Sequence, residues 1–204
     1  MNDFLVPAGY GECELIEKKS RFIGRVWPVY TLAEALERIQ EMRILHKDAT
    51  HNVFAYSIKA ENAVKVSDDG EPAKTAGMPV YEVFNRQQIH NFCCVVTRYF
   101  GGTLLGAGGL TRAYSNTAKL ALDTAGIAVI KQYVIFTLDI DYTFFDKVKL
   151  FFGEFEAEQT GIDYSDRVKI TGRILKEDFL KLKEQIFEYT SSKCEFEIIE
   201  EVWQ

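Results

Sequence analysis

Phe92-Cys-Cys-Val-Val-Thr-Arg-Tyr-Phe-Gly-Gly-Thr-Leu-Leu-Gly-Ala-Gly-Gly-Leu-Thr-Arg-Ala-Tyr114 is the stretch on which the reading of this chain turns. From Phe92 to Phe100 it is almost continuously apolar, the mark of a strand covered on both faces. Gly101, Gly102, Gly106, Gly108 and Gly109 follow within nine positions, and a long helix then runs up to Gly126. A strand that passes through glycines into a helix start gathers unpaired N–H groups and partial positive charge at one place, which favours a phosphate or a carboxylate. Arg98 and Arg112 flank the loop as charge-assisted donors. The competing reading is architectural: glycines also permit close packing of helix on sheet. The stretch is not a dinucleotide fingerprint, because Gly106-Ala-Gly108-Gly-Leu-Thr111 ends in threonine where GxGxxG needs glycine. No GxxxxGK[ST] occurs either.

Working outward, residues 10–18 and 21–30 read as two strands. Thr31 is placed to cap a helix over 32–46 with Leu32, Leu36, Ile39 and Leu45 near one face. Residues 53–60 alternate, with Phe54, Tyr56 and Ile58 on one side, as in a half-buried strand. Residues 61–77 read as a loop, and a short helix extends to about 89. After 130 the pattern restarts. A strand opens at Tyr133, and Thr143 precedes a helix with Phe144, Val148, Phe151 and Phe155 on its face. Strands follow at 156–164 and 167–175, then a helix over 177–190 carrying Phe179, Leu182 and Ile186, and a closing strand from Cys194. That order is β-α-β-β-α-β, the ferredoxin-like unit. The expected class is therefore α+β, with domains at 1–131 and 132–204.

Charge divides the chain at the same place. The formal net charge of the 204 residues is −6, which by itself argues against a generally basic nucleic-acid binder. Residues 1–131 hold 15 Lys/Arg against 14 Asp/Glu, whereas 132–204 hold 9 against 16. The acidity belongs to the second domain, so any phosphate binding is expected to be local to the first. No apolar run approaches the ~20 residues of a membrane span, and Met1-Asn-Asp-Phe-Leu-Val-Pro7 lacks the regions of a signal peptide. Cys13, Cys93, Cys94 and Cys194 form no CxxC pair. A reduced, cytoplasmic setting is expected.

Other segments carry candidate chemistry. Ser67-Asp-Asp-Gly-Glu-Pro72 clusters Asp68, Asp69 and Glu71, hard oxygen ligands that suit Mg²⁺, ahead of Lys74 and Thr75-Ala-Gly77. The alternative there is an Asx turn and a helix cap before Met78-Pro79. His51 is a candidate general base, and no HxxxH or HExxH spacing joins the three histidines. Lys18-Lys19-Ser20-Arg21 joins the first two strands, either as a solvated turn or as a basic patch that reaches the same ligand as the glycine loop. Tyr99, Phe100 and Tyr114 are candidate stacking surfaces for bases.

Glu17-Lys-Lys-Ser-Arg-Phe-Ile23, Ala49-Thr-His-Asn52, Ser67-Asp-Asp-Gly-Glu-Pro72 with Thr75-Ala-Gly77, Val96-Thr-Arg-Tyr-Phe-Gly-Gly102 and Leu105-Gly-Ala-Gly-Gly-Leu-Thr-Arg-Ala-Tyr114 together resemble the IMPACT/YigZ family. These motifs span the N-terminal domain; the second domain is similar to that of bacterial members in element order. One departure is Lys74, where the family pattern has glycine. The resemblance implies a two-layer α/β N-terminal domain like the second domain of a small-subunit ribosomal protein. It implies a C-terminal domain like the last domain of elongation factor G. Eukaryotic relatives modulate translation by competing for the activator of a stress kinase. They use an extra N-terminal domain that this sequence does not show, so the kinase role is not expected to carry over. For bacterial-type members it implies nucleic-acid binding.

The leading expectation is a non-enzymatic, translation-associated protein that binds RNA or the ribosome. Lys19, Arg21, Lys74, Arg98, Gly101, Gly102, Gly106, Gly108, Gly109 and Arg112 would hold the phosphate backbone, giving affinity without sequence readout. A second expectation is a nucleotide- or phosphate-binding enzyme with Mg²⁺ at Asp68, Asp69 and Glu71 and with His51 as base. A third is a protein-interaction module that presents the acidic second domain to a basic partner. No other cofactor and no membrane partner is expected.

Overall fold

The computed structural model of the chain describes residues 3–204, so Met1 and Asn2 of the N-terminal reading lie outside the described residues. The chain divides into two compact units, Phe4–Val129 and Ile130–Gln204. Both mix helices with antiparallel sheet, as an α+β protein does. No helix among the described residues is long and apolar enough to cross a membrane.

The first unit carries β1 (Phe4–Pro7), β2 (Gly11–Glu17), β3 (Ser20–Pro28), α1 (Leu32–Leu45), β4 (His51–Ile58), β5 (Ala63–Ser67), α2 (Gly77–Asn85), β6 (Phe92–Tyr99), α3 (Ala107–Ala125) and β7 (Ile127–Ile130). Five strands form a sheet in the order β2-β3-β6-β4-β5, with every neighbouring pair antiparallel. β6 sits at the centre, which explains its unbroken apolar run: seven of its eight residues are buried. Alternate residues of β6 enter two separate cores. Phe92, Cys94 and Val96 pack with Phe22, Val53, Val80, Phe84 and Tyr114 beneath α2 and α3. Cys93 and Val95 pack with Phe54, Tyr56 and the α1 residues Ala35, Ile39 and Met42. Helices therefore cover both sheet faces, and the expected two-layer arrangement gives way to three layers.

Several local expectations change for related reasons. Thr31 does cap α1, its hydroxyl accepting from Glu34 N at 3.2 Å. The buried stripe of α1, however, is Ala35, Ile39 and Met42, while Leu36 and Leu45 face solvent. β4 is buried along nearly its whole length instead of on one side, because both helical layers press on it. The supposed loop at 61–77 contains the edge strand β5. β1 and β7 pair as a separate two-stranded sheet.

The second unit runs β8 (Gln132–Ile140), a 3-10 turn (Tyr142–Phe144), α4 (Phe145–Glu154), β9 (Glu158–Tyr164), β10 (Val168–Leu175), α5 (Lys176–Tyr189) and β11 (Cys194–Trp203). Its sheet order is β11-β8-β10-β9, antiparallel throughout. Asp141, not Thr143, starts the helical segment, its carboxylate accepting from Thr143 N at 3.1 Å. α4 buries Val148, Phe151 and Phe152, and α5 buries Phe179, Leu182 and Ile186. The core centres on Phe136, whose ring lies 5.3 Å from Phe179 and 5.5 Å from Phe196.

Candidate functional site

Strand register places the site. Phe22 of β3 and His51 of β4 both pair with Arg98 of β6, so the three form one row on the face that carries α2 and α3. A guanidinium in a buried strand needs a partner. Glu71 provides one: Arg98 Nη1 donates to Glu71 Oε1 at 2.6 Å. The same oxygen accepts from the Tyr114 hydroxyl at 2.7 Å and lies 3.7 Å from His51 Nε2. Arg98 Nη2 donates to Ser20 Oγ at 3.3 Å, and Ser20 Oγ also accepts from Gly101 N at 3.2 Å. The guanidinium lies over two rings, 5.3 Å from the Phe22 centroid and 5.5 Å from that of Phe100. Burial first, and then the hydrogen bond to Glu71, push the Tyr114 phenol well above its ordinary range, so it acts as a fixed donor. His51 Nδ1 lies 2.7 Å from the Asp69 carbonyl oxygen, which can only accept. Nδ1 therefore donates to it, and Nε2 is the nitrogen that faces Glu71.

A cavity of about 360 Å³ opens on this network. Four of the sequence motifs meet in its wall: Thr50-His51, Glu71-Pro72, Arg98 with Phe100, and the segment from Leu104 to Ala107 with Leu110. A second depression of about 230 Å³ shares Leu105 and adds Glu17, Lys18, Gly109, Arg112 and Asn116. The start of α3 contributes residues to both. Leu110 N donates to Gly106 O at 2.9 Å, whereas the amides of Ala107, Gly108 and Gly109 donate to nothing among the described residues.

The glycines separate into different jobs. A Cβ on Gly101 would lie 2.0 Å from the Lys19 backbone carbonyl, so that glycine exists for packing against the β2–β3 turn. Gly102 and Gly106 have φ of +82° and +72°. Gly109 abuts Leu105. Gly108 has neither constraint: its φ is ordinary and a Cβ there meets nothing within 4 Å.

The basic residues separate as well. Arg98 is 4% exposed and committed to Glu71, so its expected place on the phosphate surface is corrected to a place in the core. Arg21 pairs with Glu14 at 2.7 Å on the surface. Lys18, Lys19, Lys74 and Arg112 form no ion pair among the described residues; Arg112 Nε donates to Gly108 O at 3.2 Å. Lys18, Lys19 and Lys74 all hold left-handed backbone, as tight turns demand.

The three carboxylates of the acidic segment point to different partners. Asp68 Oδ1 accepts from Ala76 N and Gly77 N at 3.0 and 2.9 Å, and its Oδ2 accepts from Lys74 N at 2.8 Å. Asp68 thus closes the start of α2, the Asx-and-cap alternative. Asp69 Oδ2 accepts from Asn52 N at 2.7 Å, and Glu71 turns inward to Arg98. Among the described residues no group of three His, Cys, Asp or Glu side chains is placed to hold a metal.

One polar cluster escaped the sequence reading. On the opposite sheet face Arg25 Nη1 lies 2.8 Å from His46 Nε2, and His46 Nδ1 lies 2.8 Å from the Tyr99 hydroxyl. Arg25 Nε also donates to Glu12 Oε2 at 3.0 Å. Burial, then Arg25 and Arg21, lower the His46 pKa. The alternation of β6 held the only clue, because it sends Arg98 and Tyr99 to opposite faces. All four cysteines are free thiols; burial pushes Cys93 up to about 12 and Cys94 well above its usual range, which makes both poor nucleophiles.

Comparison with known proteins bears on both units. The family model described as "Impact N-terminal domain" matches residues 18–122, and "Domain of unknown function (DUF1949)" matches 138–193. The chain is 38% identical over 186 residues to "IMPACT family member YvyE" of Bacillus subtilis, covering 91% of this chain and 86% of that protein. It is 32% identical over 170 residues to "IMPACT family member YigZ" of Escherichia coli, covering 80% and 82%. A crystal structure titled "Crystal structure of an hypothetical protein" superposes with a TM-score of 0.63 at 27% identity, covering 98% of both chains.

Proposed function

The chain belongs to the IMPACT family, and from that premise we propose that it is a non-enzymatic, translation-associated protein whose first unit binds the phosphate backbone of RNA. The observation that carries this reading is the start of α3. Among the described residues three amides there have no acceptor, Gly108 presents open backbone, and Arg112 and Lys18 line the adjoining depression without an ion-pair partner. Such a helix start favours phosphate. The near-neutral balance of residues 1–131 allows local binding, and the acidic second unit is assigned no phosphate contact.

The element order and sheet order of the second unit support the ferredoxin-like reading, and with it the likeness to an elongation-factor domain. That is fold analogy and adds context only. The enzyme alternative with Mg²⁺ at the acidic loop has less support, because Asp68, Asp69 and Glu71 are each engaged elsewhere.

The experiment is a salt titration of binding to a fluorescently labelled single-stranded RNA. The wild type binds with a negative slope of log K against log[salt]. Lys18→Ala and Arg112→Ala each reduce that slope by about 0.7, the value for one phosphate on a single strand. Binding without a salt slope, or variants that match the wild type, would overturn the reading.

A further inference from the structure

The cavity beside α3 is not needed for phosphate contact, yet it opens on the same amides. We infer that it receives one nucleobase, unstacked from a single-stranded RNA whose phosphate lies on the α3 start. The inference rests on the phosphate-binding reading above and adds the chemical class of the group inside the cavity.

Three features specify the occupant. The first is the wall. Leu104 is 83% exposed, and Phe100 is also exposed, although both are large apolar side chains at the cavity mouth. Together with Pro72 and Leu105 they give an apolar lining suited to a flat, uncharged body. At about 360 Å³ the cavity is at the small end of ligand sites, which run from roughly 300 to 1,000 Å³. It suits one heterocycle.

The second feature is the floor. All three contacts to the Glu71 carboxylate fall on Oε1; Oε2 accepts no hydrogen bond from any described residue. Oε2 is not sealed off either, since Arg98 Nε is the sole fully buried side-chain nitrogen or oxygen without a partner among those residues. Glu71 lines the cavity, and the inferred base site takes its second oxygen as the acceptor. Its charge is already balanced by Arg98. A cationic guest therefore gains little net attraction, while a neutral N–H donor, such as the amino group of a base, satisfies the acceptor.

The third feature is the rim. Gly106 and Ala107 belong to both the cavity wall and the helix start. A group bound inside is thus led out to an anion site within one nucleotide's reach. The Lys18–Arg112 depression shares Leu105 with the cavity, and the inference assigns it the next phosphate. An N–H donor on a flat apolar body with an anion at its other end describes a nucleotide.

The test uses the full chain, a single-stranded octaribonucleotide, the same octamer with one abasic position walked along it, and its duplex. Pro72→Trp fills the cavity from an exposed position on the wall away from α3, and a thermal melt confirms its fold. Expected results are roughly tenfold weaker binding to the duplex and at one abasic register, and the same loss for Pro72→Trp with an unchanged salt slope. Arg112→Ala should do the reverse, keeping the abasic discrimination and reducing the slope. Equal binding of intact, abasic and duplex RNA with a normal salt slope overturns the base site and leaves the phosphate reading standing. Adenosine 5′-monophosphate serves as a separate probe by amide NMR. Shifts at the cavity amides that Pro72→Trp abolishes, without any RNA binding, support the base site and overturn the polymer reading. Silence toward every probe overturns both.

Discussion

Arg98 Nη1 lies 2.6 Å from Glu71 Oε1, with the two side chains only 5% and 3% exposed. On the phosphate reading Arg98→Ala would remove a backbone contact, but its burial gives that substitution a different meaning. Arg98→Ala leaves a carboxylate buried beside Tyr114 and His51 without its cation, which costs about 3–5 kcal/mol. Arg98→Met with Glu71→Leu removes both charges and is expected to be milder than Arg98→Ala alone, although the Tyr114 hydroxyl then loses its acceptor. Urea denaturation measures both. A loss below about 1 kcal/mol for the single variant would show that the pair does not hold the site together.

Gly101 and Gly108 are seven residues apart in one glycine-rich segment and are expected to respond oppositely. Alanine at Gly101 drives a methyl group into the Lys19 carbonyl, and the chain must shift at a cost on the order of 3 kcal/mol. Alanine at Gly108 meets open space in the first turn of α3 and gains up to about 1 kcal/mol of helix propensity. The same methyl group stands where a phosphate would approach the amides. Gly108→Ala should therefore raise the melting temperature while weakening RNA binding. A variant that is both more stable and fully binding would remove Gly108 from the ligand surface.

His46 gives the fold a pH dependence. Its folded pKa lies below the ordinary 6.5 because of burial, then Arg25 and Arg21, with Glu12 acting in the opposite direction. Below 6.5 the unfolded chain takes up a proton that the folded chain resists, so protons favour unfolding. Its contribution is complete above about pH 6.5 and is lost as pH falls from there toward the lowered folded value. His90 shifts the same way, through burial and then Lys59. His46→Gln keeps a polar side chain without the titration, and its stability should fall less steeply than the wild type's between pH 7 and 5. Parallel curves would assign the dependence to other groups.

Much of this architecture could be read from residue order, and the exceptions share a cause. The capped start of α1, the buried β6 and the stripe of α5 all follow from periodicity within one element. The inner face of α1 did not, because Ala35 and Met42 are weaker hydrophobic signals than the exposed Leu36 and Leu45. β5 did not, since a short edge strand with an exposed Val64 shows little alternation. In the candidate site, four of the motif segments meet in one cavity wall. Arg98 was expected as a phosphate donor, and the row Phe22–Arg98–His51 that places it inward depends on the registers of three strands. No spacing along the chain encodes those registers. The inward turn of Glu71 and the divergence of Asp68 from it are tertiary in the same sense.

Substitution of Asp68 distinguishes a helix cap from a metal ligand. Its carboxylate accepts from Lys74 N, Ala76 N and Gly77 N, and Ala76 contributes no side-chain cap of its own. The start of α2 therefore depends on a residue eight positions upstream. Asp68→Ala leaves those amides without acceptors and removes a negative charge from a helix N-terminus, at about 2 kcal/mol. Asp68→Asn keeps one carbonyl acceptor and should lose about half as much. The loss will not stay local, because Glu71 N donates to Asp68 O at 3.0 Å and the loop delivers Glu71 to Arg98. A double-mutant cycle of Asp68→Asn with Arg98→Met should therefore deviate from additivity by more than about 0.5 kcal/mol. Millimolar Mg²⁺ is expected to leave the wild-type melting temperature unchanged, since the three carboxylates serve three different partners. A Mg²⁺-dependent rise that Asp68→Asn abolishes would restore the metal reading and overturn the capping one.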